Sequence, residues 1–129
     1  MTRFLYVSEF GDVIPVEHTE ETTLRTLQML VQGYVQVVNA NPDTLGFDAD
    51  IWVNEDGLAE PTFLPNMLAS HFAGQPLVGP AVIARYDNEG TTVGLSDDDL
   101  KLLSRSLMVE SETWTPAMAV EMRQKYDAR

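Results

Sequence analysis

Ile51-Trp52-Val53-Asn54-Glu55-Asp56-Gly57, followed by Leu64-Pro65-Asn66, reads as a strand, a tight acidic turn, a return segment and a Pro-Asn helix start. The strand extends back to Phe47, because Phe47, Ala49, Ile51 and Val53 share one face of a period-two pattern while Asp48, Asp50 and Trp52 share the other. Asn54 to Gly57 has the composition of a hairpin-type turn, with Gly57 expected to supply a positive φ. No nucleophile, metal cluster or phosphate loop lies in this stretch. It therefore speaks to architecture more than to chemistry.

On the N-terminal side, Phe4-Leu5-Tyr6-Val7 reads as a first strand, Glu9 to Asp12 as a turn, and Val13-Ile14-Pro15-Val16 as a second extended piece. Proline cannot donate to a ladder, so this second piece belongs at a sheet edge. Thr19-Glu20-Glu21-Thr22 resembles a helix start, with a hydroxyl for the cap and acids in the first turn. Leu24, Leu27, Leu30 and Val31 follow as one buried stripe, and Gly33 is placed to end the helix in a left-handed conformation. Tyr34 to Val38 is β-branched and alternating, hence a strand, and Asn39 to Asp43 has loop composition.

On the C-terminal side, a short helix is expected over Met67 to Ala73, capped by Asn66 and closed by Gly74. Pro80 to Tyr86 and Thr91-Thr92-Val93 read as strands joined by the acidic turn Asp87-Asn88-Glu89-Gly90. Ser96-Asp97-Asp98-Asp99 is a capping-box pattern ahead of the stripe Leu100, Leu103 and Leu107. Thr115-Pro116 starts a last helix whose apolar residues, Met118, Val120 and Met122, do not make a wide stripe. A helix of that kind barely persists alone. It therefore packs on its own domain, packs on a partner such as a second copy of the chain, or frays, and Trp114 is the expected anchor.

The chain has 129 residues, enough for one domain with a single core, and no cysteine, which excludes disulfides and thiol chemistry. No apolar run is long enough to span a membrane, and the N-terminus lacks a signal-peptide pattern, so a cytoplasmic setting is expected. The formal net charge is −12, and no Lys or Arg stands between Arg25 and Arg85. Such a surface repels nucleic-acid phosphates, so no direct DNA or RNA contact through a basic surface is expected. It attracts a basic protein partner, although plain solubility is an equally physical use of acidity.

The order of features also carries a resemblance. Gly33-Tyr34-Val35, Val53-Asn54-Glu55-Asp56-Gly57, Leu64-Pro65-Asn66, Val78-Gly79 and Asp87-Asn88-Glu89-Gly90 together resemble an uncharacterised family of small proteins, a domain of unknown function found mainly in bacteriophages, plasmids and actinobacteria. Pro80 departs from the pattern, where a small polar or acidic residue is expected. The resemblance covers about the first four-fifths of the chain. It implies a compact α+β domain of mobile-element origin and transfers no catalytic residues.

Candidate sites follow from residue types. A triad from His18 or His71 lacks any nucleophile elbow, so a hydrolase is the weakest reading. An EF-hand read from Asp48 puts Val53 at the glycine position and Ala59 at the bidentate Glu position, so that motif fails. No catalytic residue, metal site or cofactor is therefore assigned. The binding candidates are Asp48, Asp50, Trp52, Asn54, Glu55, Asp56 and Asn66. Asn54 and Asn66 have plainer roles as turn and cap residues, and Trp52 either lies under a helix or belongs to an interaction surface.

The sequence thus predicts an α+β protein with a mainly antiparallel sheet of about five strands. Two main helices pack on one face, and a C-terminal helix is added. Residues 1–109 form one domain and 110–129 a helical tail, through which a homo-oligomer could form. The expected function is non-catalytic binding of a protein partner through the acidic surface. The alternative is a small-molecule or nucleotide binder at a pocket between the sheet and the Pro65-Asn66 helix.

Overall fold

The computed structural model describes residues 2–105, 107–110 and 112–127. The strands are β1 (Thr2–Val7), β2 (Val13–His18), β3 (Val35–Asn39), β4 (Asp50–Asn54), β5 (Ala81–Tyr86) and β6 (Thr92–Val93). The helices are α1 (Thr23–Val31), α2 (Pro42–Leu45), α3 (Met67–Ala73), α4 (Asp97–Ser104) and α5 (Pro116–Asp127). The sheet runs β2-β1-β5-β4-β3 with every pairing antiparallel, and β6 adds to the end of β5. The α+β class and the antiparallel sheet are as the sequence reads.

The helices are distributed differently from the expectation. Leu27, Leu30 and Val31 of α1 and Ala119 of α5 cover Phe4, Tyr6, Ile14, Val16, Val82 and Ala84 on one face. Ala69 and Phe72 of α3, Leu45 of α2 and Leu103 of α4 cover Leu5, Val7, Ile51, Val53 and Ile83 on the other. The two main helices, α1 and α4, are therefore on opposite faces rather than on one. The cause is visible in the central strands. Phe4-Leu5-Tyr6-Val7 and Ala81-Val82-Ile83-Ala84 are buried on both sides, and a strand with two apolar faces needs cover on both.

Local details also differ. Gln32, not Gly33, takes the left-handed position at the end of α1, with φ 65°. Gly33 is needed for another reason: a Cβ there would stand 2.7 Å from the Asn54 amide nitrogen. No hairpin follows β4. Gly57 has no positive φ and opens a 3₁₀ turn over Gly57–Ala59, because the chain must leave the sheet and cross to α3 before returning as β5. The expected loop after Asn39 contains the helical turn α2, capped by the Asn41 side chain, which shortens the next strand to begin at Asp50.

Leu24, read as part of a buried stripe, and Val37, in the alternating strand, are both exposed. Leu24 is 57% exposed, because α1 begins only at Thr23 after a 3₁₀ turn and its buried arc is Thr26, Leu27, Leu30 and Val31. Val37 is 46% exposed, because β3 is the outermost strand and the helical layer ends short of it.

The caps at α3 and α4 are as read. Asn66 Oδ1 accepts from Ala69 N–H, and Gly74 closes α3 at φ 71°. Ser96 and Asp99 form a complete capping box, and Asp99 also binds Arg85 of β5 at 2.7 Å, which ties α4 to the sheet. The tail 110–129, of which residues 111, 128 and 129 lie outside the described residues, lies against its own chain. Glu110 N–H donates to Val13 O, Trp114 N–H to Pro15 O, and Glu17 N–H to Trp114 O, so this segment runs along the outer edge of β2. Trp114 is half-buried in the α1 layer, as an anchor should be.

Candidate functional site

The end of β4 is built by Asn54. Its side-chain amide donates to Val31 O at 3.0 Å and Gln32 O at 3.2 Å, supplying donors to carbonyls that the end of α1 leaves unpaired. Its Oδ1 accepts from Asp56 N–H at 2.8 Å, which bends the chain out of the strand. Glu55 and Asp56 are consequently held at the surface with their carboxylates in solvent.

A second wall faces this turn. Residues 64–66 and 77–79 run antiparallel, with Asn66 N–H donating to Leu77 O and Gly79 N–H to Leu64 O. Asn66 has no accessible surface, and its amide donates to Val7 O at 3.0 Å and Gly79 O at 2.9 Å. Ser70 Oγ accepts from Leu77 N–H at 2.8 Å, so the wall is anchored to α3 as well. Between the walls lies a groove of about 660 Å³, whose lining includes Gln36, Val38, Val53, Glu55, Asp56 and Leu77. Leu58, 91% exposed, stands on its rim.

The seven binding candidates do not converge on one place. Asn54, Glu55 and Asp56 meet at the groove. Asp48 and Asp50 lie toward the other end of β4, with Asp50 four residues and roughly 13 Å from Asn54 at ordinary strand rise. Partial burial raises the Asp50 carboxyl above its usual range by desolvating the charged form. Trp52, half-buried, packs in the layer beneath α1. Asn66 is a buried joint. His18 rests against the Phe4 ring at 4.2 Å in the α1 layer, while His71 is exposed on α3, on the opposite side of the sheet.

Sequence reasoning missed the groove's second wall and one buried ion pair. Gln75, Pro76, Leu77 and Val78 carry no titratable or nucleophilic side chain to draw attention, and only the fold sets them opposite Glu55. Glu9 and Arg123 form an ion pair with both side chains buried, and the guanidinium stands 5.4 Å from the Phe10 ring and 5.5 Å from the Phe63 ring. A signal existed: Arg123 is the one base in the middle of a helix too weakly amphipathic to pack by apolar residues alone.

The fold is thus a layered α+β protein with an open-edged antiparallel sheet and a surface groove at the exposed end. The DUF3846 family, a domain of unknown function, matches residues 1–108, and the chain belongs to it. No curated protein and no solved structure matches the chain. Among the described residues, no helix is long and apolar enough to cross a membrane.

Proposed function

We propose that this chain is a non-catalytic binding protein that engages a protein partner at the groove beside β3 and at its acidic rim. The observation that carries this reading is Leu58, an almost fully exposed leucine beside Glu55 and Asp56 on the rim of a concave surface. A large exposed apolar side chain among charged groups is the kind of residue that becomes an anchor when a partner desolvates it. Tyr34, 71% exposed just ahead of β3, adds an aromatic to the same neighbourhood. The absence of Lys and Arg from 26 to 84 supports a basic partner, because a field of one sign steers the opposite charge. The same field disfavours direct contact with DNA or RNA phosphates. The resemblance to proteins of phages and plasmids supports an accessory role for a mobile element in the host cytoplasm.

A second reading rests on the groove's volume, which falls in the range of small-molecule pockets. A metabolite or nucleotide bound there would raise the melting temperature of the protein on its own.

The test is site-specific photo-crosslinking in cells. A photoreactive residue at Leu58 should give a covalent adduct with a protein partner, while one at Leu24, exposed on α1, should give none. Adducts from Leu24 and none from Leu58 would overturn the assignment.

A further inference from the structure

The two edges of the sheet are treated differently. The outer edge of β2 contains Pro15 and is covered by the chain's own segment around Trp114, through the three backbone hydrogen bonds described above. The outer edge of β3 has neither protection. Glu55 N–H donates to Tyr34 O and Ala40 N–H to Ala49 O, in the same register that pairs Gln36 with Val53 and Val38 with Ile51. Alternation along an antiparallel ladder then turns the N–H and C=O groups of Val35, Val37 and Asn39 away from β4. Among the described residues no backbone group bonds to them on that side. The strand reads Val-Gln-Val-Val-Asn, with no Lys, Pro or bulge of the kind that ordinarily blunts an open edge.

We propose that β3 takes an additional strand from its partner: an extended segment carrying Lys or Arg, hydrogen-bonded to Val35, Val37 and Asn39, with basic side chains toward Glu55 and Asp56. This rests on the protein-binding reading given above and specifies the form of the partner. An open strand edge beside a groove is the arrangement used in strand addition, where main-chain bonds hold the peptide and flanking pockets select alternate side chains. Leu58 and half-buried Val38 supply apolar contact over the buried Val53 and Leu77, and Gln36 and Gln75 supply amides. Charge selects the occupant. A second copy pairing along β3 would bring two chains of net charge −12 together through their base-free stretches, residues 26–84, whereas a basic segment meets an attractive field.

The experiment selects short random peptides from a display library on the intact protein, then measures one synthetic peptide from the enriched set. The enriched sequences should alternate β-branched or aromatic residues and contain Lys or Arg. Binding should slow amide hydrogen exchange at Val35, Val37 and Asn39. Val37→Pro should weaken it by on the order of tenfold or more while leaving the fold intact, since the donor it removes faces solvent at an edge. The exchange measurement on the unaltered protein decides the matter should that variant fail to fold. Glu55→Gln with Asp56→Asn should weaken binding and flatten its salt dependence.

Several results would overturn the inference. Slowed exchange elsewhere, with Val37→Pro binding normally and the acid replacements weakening it, defeats strand addition and leaves the acidic-groove reading standing. Protection of β3 with no effect of the acid replacements defeats the basic character of the strand and the acidic-rim reading with it. A selection that enriches no basic extended sequence defeats the proposal, as does a solution dimer that Val37→Pro abolishes.

Discussion

Asn66 makes three side-chain hydrogen bonds from a position with no accessible surface, joining the end of β1, the turn at Gly79 and the first turn of α3. Its amide donates to two carbonyls while its oxygen accepts, and no other side chain of that size offers both functions in one plane. Asn66→Ala should therefore cost about 3 kcal/mol or more in urea unfolding, combining a lost cap with buried carbonyls left unpaired. Asn66→Asp should also destabilise, because it sets a carboxylate oxygen against those carbonyls. Stability unchanged in both variants would show that the joint is not needed. Asp50 is the opposite case. Its folded pKa lies above the unfolded value, so its charge disfavours folding at any pH above that folded pKa, and the penalty disappears below the unfolded value. Asp50→Asn should raise the melting temperature at neutral pH, and its advantage should fade as pH falls through the raised pKa. A thermal melt at several pH values checks this.

At the scale of elements, the buried pair Glu9–Arg123 fastens α5 to the turn between β1 and β2. Breaking a buried pair leaves one charge without its partner, so Glu9→Gln should lower stability by about 3–5 kcal/mol, measured by denaturant midpoint. Replacing both residues with apolar side chains of similar size should recover much of it. The strands give a sharper contrast. Ile51→Ala in β4 should cost about 2–4 kcal/mol, and Val37→Ala in β3 should stay within about 0.5 kcal/mol because Val37 is exposed. The sequence could be read correctly where the cause is local: Asn66 and Gly74 around α3, the Ser96–Asp99 box, the turn at Gly90 and Pro15 at an edge all depend on neighbours in the chain. It misled where the cause lies far away. Gly33 yields to Asn54, twenty-one residues on, and Gly57 to the carbonyl of Val78, which no pattern in the sequence connects. The exposure of Val37 follows only from β3 being outermost. Within the candidate site, the acidic turn was legible and the facing wall was not, because Gln75 to Val78 become a wall only after α3 turns them back.

For the molecule as a whole, charge and shape point to the same end of the sheet. The net charge of −12 is concentrated in a half of the chain with two bases, and that half supplies β3, β4 and the turn at the groove. A uniform acidic coat would give solubility without directing anything. Under the proposed function, an acidic rim beside exposed Leu58 and an uncovered strand edge would direct a basic partner to one place. The association rate constant of the partner captured at Leu58, measured across a range of ionic strength for the natural protein and for Glu55→Gln with Asp56→Asn, tests this most directly. The rate for the natural protein should fall steeply as salt rises, since exposed charges are screened beyond about 10 Å at 0.1 M. The variant should bind more slowly at low salt and show a flatter dependence. Equal rates with equal salt dependence in the two proteins would contradict the account.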